Sequence, residues 1–227
     1  MSSIKYIPIR RRSRMIKAFL FDMDGVIIDS EPLHFDVDIR VMAYLGAEIT
    51  QTELEPYVGM TNPAMWKAIK EQYGFPHSTE EIIDYQLKDK LQELDKLDIE
   101  PIEGIRELLD ELRSHGVAIG LASSSPRVFI EAVLGKFGLA DYFGCIVSGE
   151  EVPQGKPAPD VYLEAASVLG IQPADCVVLE DSRNGVRAAK AAGMRAIGFI
   201  NPNSGNQDLS EADFTVERIG DIKLAEL

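Results

Sequence analysis

Two carboxylates, Asp22 and Asp24, stand two residues apart at the end of the apolar run 16–21 and are followed at once by Gly25. Side chains alternate along a strand, so positions i and i+2 point the same way, and the pair is expected to face one ligand at a sheet edge. Like charges held close repel, and a partly desolvated carboxylate is unfavourable unless a cation or a proton compensates it. The spacing therefore asks for a divalent cation, a shared proton, or both.

Three further polar groups follow short apolar runs or stiff loops. Ser123 ends the run 117–122, Glu180 and Asp181 follow 176–179, and Lys156 sits in Gly155-Lys156-Pro157-Ala158-Pro159, where the prolines restrict the backbone. This is not a Walker loop, because Pro157 replaces the required Ser or Thr. Alone, Ser123 reads as a helix cap, Lys156 as a solvated lysine and Glu180/Asp181 as helix-start acids. Together they are what phosphoryl transfer needs. A carboxylate attacks phosphorus, a hard cation such as Mg²⁺ neutralises the phosphate, a hydroxyl and a lysine hold its oxygens, and a second acid handles the leaving-group proton. Asp22 fits the nucleophile and Asp24 the acid/base, with Asp22 ionised and Asp24 able to carry the proton.

The elements that must position these groups follow from periodicity. From Ser30-Glu31-Pro32, which can cap and start a helix, residues 31–97 read as helical throughout. Phe35, Ile39, Met42 and Leu45 form the stripe of the first helix, and later starts lie at Thr61-Asn62-Pro63 and Ser78-Thr79-Glu80-Glu81. Met65 and Trp66 read as packing within this block. From Pro101 onward, short apolar runs (117–122, 145–148, 176–179, 195–199) alternate with amphipathic helices, and 214–216 and 219–224 read as an edge strand and a closing helix. The fold class is therefore α/β: a Rossmann-like three-layer core with a mainly parallel sheet, at 15–30 and 98–227, plus an inserted all-α domain at 31–97. In such sheets, ligands bind at the carboxyl ends of the strands.

Composition limits the partners. The 227 residues are 45% hydrophobic and 26% charged, with a formal net charge of -14. That balance argues against nucleic acid, whose phosphates demand a basic footprint, and against anionic membranes. No apolar run approaches the roughly 18 residues of a membrane-spanning helix. Cys145 and Cys176 lie in apolar stretches and read as reduced, buried thiols, which suits a cytoplasmic enzyme. Residues 1–14, with Lys5, Arg10, Arg11, Arg12 and Arg14, read as a basic tail without a function of its own. The expected partner is a small phosphorylated metabolite, and the expected state a monomer or weak dimer.

The stretches 19–26, Leu121-Ala122-Ser123, Gly155-Lys156-Pro157 and Leu179-Glu180-Asp181-Ser182 resemble, in order and spacing, the four motifs of the haloacid dehalogenase superfamily. The resemblance covers nearly everything from Ile16 onward. It implies Mg²⁺ held by the Asp22 carboxylate, the Asp24 backbone carbonyl and Asp181, with Glu180 assisting, and it makes the insert at 31–97 a cap that closes over substrate. An acid at Asp24, absent from the dehalogenases themselves, points to phosphate chemistry. Residues 22–34 and 179–185 are most similar to the group holding β-phosphoglucomutase and the sugar-phosphate phosphatases.

A mutase of that group carries an arginine in the cap where this chain has Asn62, and Asn cannot replace a bidentate cation. Hydrolysis of a small phosphorylated sugar or polyol is therefore the leading expectation. A mutase remains the alternative, supported by His34 and by Arg127 as a partial substitute, and a non-catalytic sugar-phosphate sensor ranks below both. Gly25, His34, Asn62, Ser124 and Arg127 are the expected substrate contacts.

Overall fold

The computed structural model describes residues 16–227, so the basic tail expected at 1–14 lies outside the described residues. Strands β1 (Ala18–Phe21), β2 (Ala118–Ser123), β3 (Cys145–Ser148), β4 (Cys176–Glu180), β5 (Arg195–Phe199) and β6 (Phe214–Val216) form one sheet ordered β3-β2-β1-β4-β5-β6. Every pairing is parallel. Phe21 lies beside Leu121 on one side and Leu179 on the other, so Asp22, Ser123 and Glu180 emerge at one edge. The chain leaves β1 toward β2 and later returns to β1's other side as β4. That reversal opens the crevice where doubly wound sheets bind ligands.

Between β1 and β2 come α1 (Glu31–Tyr44), the single turn α2 (Gln51–Leu54), α3 (Asn62–Tyr73) and α4 (Thr79–Lys96). A capping box opens α4: Glu81 N donates to Ser78 Oγ at 3.1 Å, and Ser78 N to Glu81 Oε2 at 2.8 Å. The α4 helix packs on α1 and α3. Packed against α4, α1 buries Leu33, Phe35, Val37, Val41 and Met42 but leaves Ile39 36% exposed. Ile39 therefore falls outside the stripe expected of it.

Helices α5 (Ile105–Ser114) and α6 (Arg127–Phe137) cover one face of the sheet, and α7 (Asp160–Leu169) and α8 (Arg183–Ala191) the other. The alternation of β1 divides the core accordingly. Phe19 and Phe21 join Ile105, Leu109 and Phe129, while Ala18 and Leu20 join Val161, Tyr162 and Val186. The closing helix expected at 219–224 is instead two single turns, Ile219–Asp221 and Leu224–Glu226, which anchor Ile219 and Ile222 in the core. Both cysteines are free and buried. Among the described residues no helix is long and apolar enough to cross a membrane.

Candidate active site

The two acids share a pocket, but by a different route from the expected pleat. β1 stops at Phe21, and the chain then coils so that Met23 O accepts from the amides of Val26, Ile27 and Ile28. Gly25 takes φ +72° and donates its amide to Ile28 O at 2.8 Å. A Cβ on Gly25 would lie 1.9 Å from Asp181 Oδ2, so no side chain fits there. A turn, rather than strand alternation, presents Asp24 beside Asp22 at the pocket wall.

Beneath the pocket, Lys156 Nζ donates to Asp22 Oδ1 at 2.7 Å and to Glu180 Oε1 at 2.6 Å. All three side chains are buried. Glu180 Oε1 also accepts from Tyr162 Oη at 2.7 Å, and Glu180 Oε2 accepts from Ser182 N and Oγ. Burial alone would lower Lys156, yet the Asp22 and Glu180 charges outweigh it and hold the ammonium above its ordinary range. Tyr162 is pushed well up by burial and by Glu180. Both Glu180 oxygens are thus engaged in fixing the lysine and the start of α8.

Asp24 is surrounded by donors. Oδ1 accepts from Ser30 Oγ at 2.7 Å and meets His34 Nε2 at 2.8 Å, while Oδ2 accepts from Ser125 Oγ at 2.7 Å and Ser123 Oγ at 3.2 Å. Burial would raise this carboxyl, but the charge of His34 and the hydrogen bonds from His34, Ser125 and Ser30 hold it below the usual aspartate range. Asp22 moves the opposite way, from 3.8 to about 8, through burial first and the Glu180 charge second. Asp181 is raised for the same two reasons. Burial and the Glu180 charge thus push Asp22 and Asp181 toward their protonated forms, while the donors around Asp24 favour its ionised form.

That imbalance suits a cation. Asp22, Glu180 and Asp181 each offer an oxygen within 4.8 Å of the others. Asp22 Oδ2 and Asp181 Oδ1 accept no hydrogen bond from a described residue, whereas Asp181 Oδ2 accepts from Ser204 Oγ. A hard, oxygen-only donor set with surplus negative charge fits a hard divalent ion.

Of the expected substrate contacts, His34 and Asn62 line the pocket, and Asn62 Nδ2 is buried without a partner. Ser124 also lines it, with its hydroxyl donated to Gly59 O at 2.8 Å. Ser123 and Lys156 are buried behind it and reach it through Asp24 and Asp22. Gly25 and Arg127 are not among the lining residues. The backbone of Gly25 is taken by Ile28 and Asn201, and Arg127 forms a bidentate pair with Glu151 while donating to Ile146 O. Ser30, expected as a helix cap, makes no side-chain capping bond and turns to Asp24 instead. Sequence reasoning missed Ser125, Tyr162, Glu31, Asp38 and Lys90; only the run Ser123-Ser124-Ser125 carried a signal for one of them.

A parallel sheet with paired acids, a buried lysine and a hydroxyl at one strand edge, under inserted helices, defines a phosphoryl-transfer hydrolase of the α/β type. The family profile described as haloacid dehalogenase-like hydrolase matches residues 19–199, and the chain belongs to that family. It is similar to hexitol phosphatase B of Escherichia coli (strain K12), with 38% identity over 85% of this chain and 87% of that one. It is also 31% identical to the beta-phosphoglucomutase of Bacillus subtilis (strain 168) over 92% of each. Among solved structures, CbbY from Rhodobacter sphaeroides in complex with phosphate superposes with a TM-score of 0.85 at 26% identity, covering 94% of this chain and all of that one.

Proposed function

We propose that this chain is a Mg²⁺-dependent phosphomonoesterase acting on a small phosphorylated sugar or polyol through an aspartyl-phosphate. The observation that carries the reading is Asp22 at the pocket floor, held by the buried Lys156 ammonium 2.7 Å away. Asp22 Oδ2, the oxygen Lys156 does not hold, and Asp181 Oδ1 are the groups that would hold the cation, with the Asp24 backbone carbonyl as the resemblance implies. When bound, Mg²⁺ supplies charge neutralisation for the phosphate and keeps Asp22 ionised.

Asp22 attacks phosphorus, the bond to the leaving oxygen breaks, and that oxygen takes a proton from Asp24. Asp24 Oδ1 stands 2.8 Å from His34 Nε2, a contact across which the two side chains can exchange that proton. Asp24 then removes a proton from water, the water oxygen bonds to phosphorus, and the Asp22–phosphorus bond breaks to release phosphate. Ser123 holds Asp24 in place through its hydroxyl.

Hexitol phosphatase B, by its name a phosphatase of sugar alcohols, supports hydrolysis of such esters. Transfer between two hydroxyls of one sugar, the mutase alternative, needs a cation for a distal phosphate; Asn62 supplies none, and Lys90, which also lines the pocket, stands 3.9 Å from the Asp38 carboxylate. The net charge of -14 supports a small metabolite rather than nucleic acid as partner. The two buried free thiols support a cytoplasmic location. A monomer or weak dimer remains the expected state, readable by size-exclusion chromatography. The test is phosphate release from a panel of sugar and polyol phosphates with and without Mg²⁺. Cation-dependent release is expected; isomerisation without release would overturn hydrolysis in favour of the mutase.

A further inference from the structure

The loop between β5 and β6 packs against Asp181, and its Ser204 is 1% exposed. Ser204 Oγ donates to Asp181 Oδ2. That oxygen is also walled by Gly25: a Cβ on Gly25 would lie 1.9 Å from Asp181 Oδ2 and 2.9 Å from Ser204 Oγ. The loop is tied down around this contact. Asn201 Nδ2 donates to Gly25 O at 3.0 Å, Asn203 Nδ2 to Asp29 Oδ2 at 2.6 Å, and Gln207 Nε2 to Ser204 O at 3.0 Å, while Gln207 Oε1 accepts from Arg183 N at 3.1 Å. Ser204 is therefore fixed both to the turn that follows β1 and to the start of α8, just past Asp181.

This contact limits the oxygens that a cation can reach. Glu180 has both of its own engaged by Lys156, Tyr162 and Ser182. Asp22 gives Oδ1 to Lys156, and Asp181 gives Oδ2 to Ser204. Asp22 and Asp181 are each left with a single oxygen for the ion. Hydrogen bonds to ligating carboxylates orient them and tune the metal they hold. Ca²⁺ takes more oxygen ligands than Mg²⁺ and accepts a carboxylate through both oxygens at once, whereas Mg²⁺ keeps several waters and needs few carboxylates.

We propose that Ser204 is a positioning residue: by holding Asp181 Oδ2 it confines Asp181 to one oxygen toward the cation, and so favours Mg²⁺ over Ca²⁺. Ser204 is not among the residues lining the pocket and acts through Asp181 alone. This rests on the Mg²⁺-dependent reading of the site and deepens it with a residue that lies outside all four motif stretches. Released from Ser204, the Asp181 carboxylate is free to offer both oxygens, which suits the larger ion better than the smaller.

The test is a pair of dissociation constants, taken from thermal melts of the chelator-treated full chain against rising MgCl₂ or CaCl₂, with no substrate or turnover needed. The wild type is expected to bind Mg²⁺ more tightly than Ca²⁺. In Ser204→Ala, Mg²⁺ binding should weaken about tenfold, the lower end of what losing such a hydrogen bond costs in metal affinity. Ca²⁺ binding should weaken less, so the preference for Mg²⁺ shrinks. Asn203→Ala loosens the same loop at Asp29 without touching Asp181, and should keep the wild-type ratio. Equal weakening of both cations in Ser204→Ala, or none, overturns the proposal. A matching change of ratio in Asn203→Ala overturns it too, because the seating of the loop and not the serine hydroxyl would then set the preference. A wild type that prefers Ca²⁺ overturns it without any variant having to fold. If the wild type binds neither cation, the Mg²⁺-dependent reading itself falls, which is a separate failure.

Discussion

Ser124 Oγ donates a 2.8 Å hydrogen bond to Gly59 O, so a side chain just past β2 holds the loop that leads into α3. Asn184 Nδ2 adds a second tie, to Val58 O at 3.2 Å. The loop sits close: Gly59 has φ +79°, and a Cβ there would lie 2.7 Å from Ser182 Oγ. Thr61, two residues on, has its methyl 2.7 Å from where a Cβ on Gly155 would stand, beside the loop that carries Lys156. The loop that leads into α3 is thus packed against the loop that carries Lys156.

Gly59→Ala should therefore unseat the loop that leads into α3. Strain at positive φ and the collision with Ser182 both oppose the seated loop, and misplacement of about 1 Å in a site costs up to about a hundredfold in rate. The expected result is kcat/KM for 4-nitrophenyl phosphate reduced by ten- to about a hundredfold, with Ser124→Ala costing less, on the order of the ~1 kcal/mol of one hydrogen bond. Steady-state kinetics beside thermal melts separate a seating defect from misfolding. Wild-type kinetics in Gly59→Ala would show that the loop contact has no functional weight.

Glu180 fixes Lys156 rather than meeting substrate, and its loss should register first as stability. Glu180→Gln breaks the buried carboxylate network that accepts from Lys156, Tyr162 and Ser182, so it is expected to cost about 3 kcal/mol in urea denaturation, and Tyr162→Phe about 2 kcal/mol. A Glu180→Gln protein as stable as the wild type would mean that Asp22 alone suffices to hold Lys156.

The raised Asp22 carboxyl gives a pH dependence with a definite sign. Without cation, the native state keeps a proton up to about 8 that the unfolded chain loses near 3.8. Between those values the native state binds more protons than the unfolded one, so the metal-free protein loses stability as pH rises. A cation binds the deprotonated form and reverses this. The gain in Tm from saturating Mg²⁺ over the chelator-treated protein should therefore grow from about pH 5 to about pH 8. A gain that is flat or shrinks with pH would remove Asp22 from the cation site.

Much of this was legible because it is local. The runs 145–148 and 195–199 are strands as expected, and Ser78 with Glu81 announces the start of α4. Asp22 and Glu180 could be brought to one edge from the strand pattern, since parallel strands align their carboxyl ends, whereas Lys156 arrives on a loop after β3. What was not legible depends on partners far along the chain. Ser30 has the sequence signature of a cap and is diverted by Asp24, which only the turn at 22–28 brings within reach. Arg127 is a plausible phosphate ligand until Glu151 occupies its guanidinium. Glu31, Asp38 and Lys90 look like the solvated face of surface helices, because charged residues are seldom buried, and only the packing of α1 and α4 over the sheet edge turns them inward.

The covalent role of Asp22 is tested most directly by rapid acid quench of the Mg²⁺-loaded enzyme during turnover of 4-nitrophenyl phosphate, followed by mass spectrometry of its peptides. One phosphoryl group on the peptide containing Asp22, absent before substrate is added, is the predicted result. Turnover with the phosphoryl group on any other residue, or in an Asp22→Asn enzyme that still works at the wild-type rate, would contradict it.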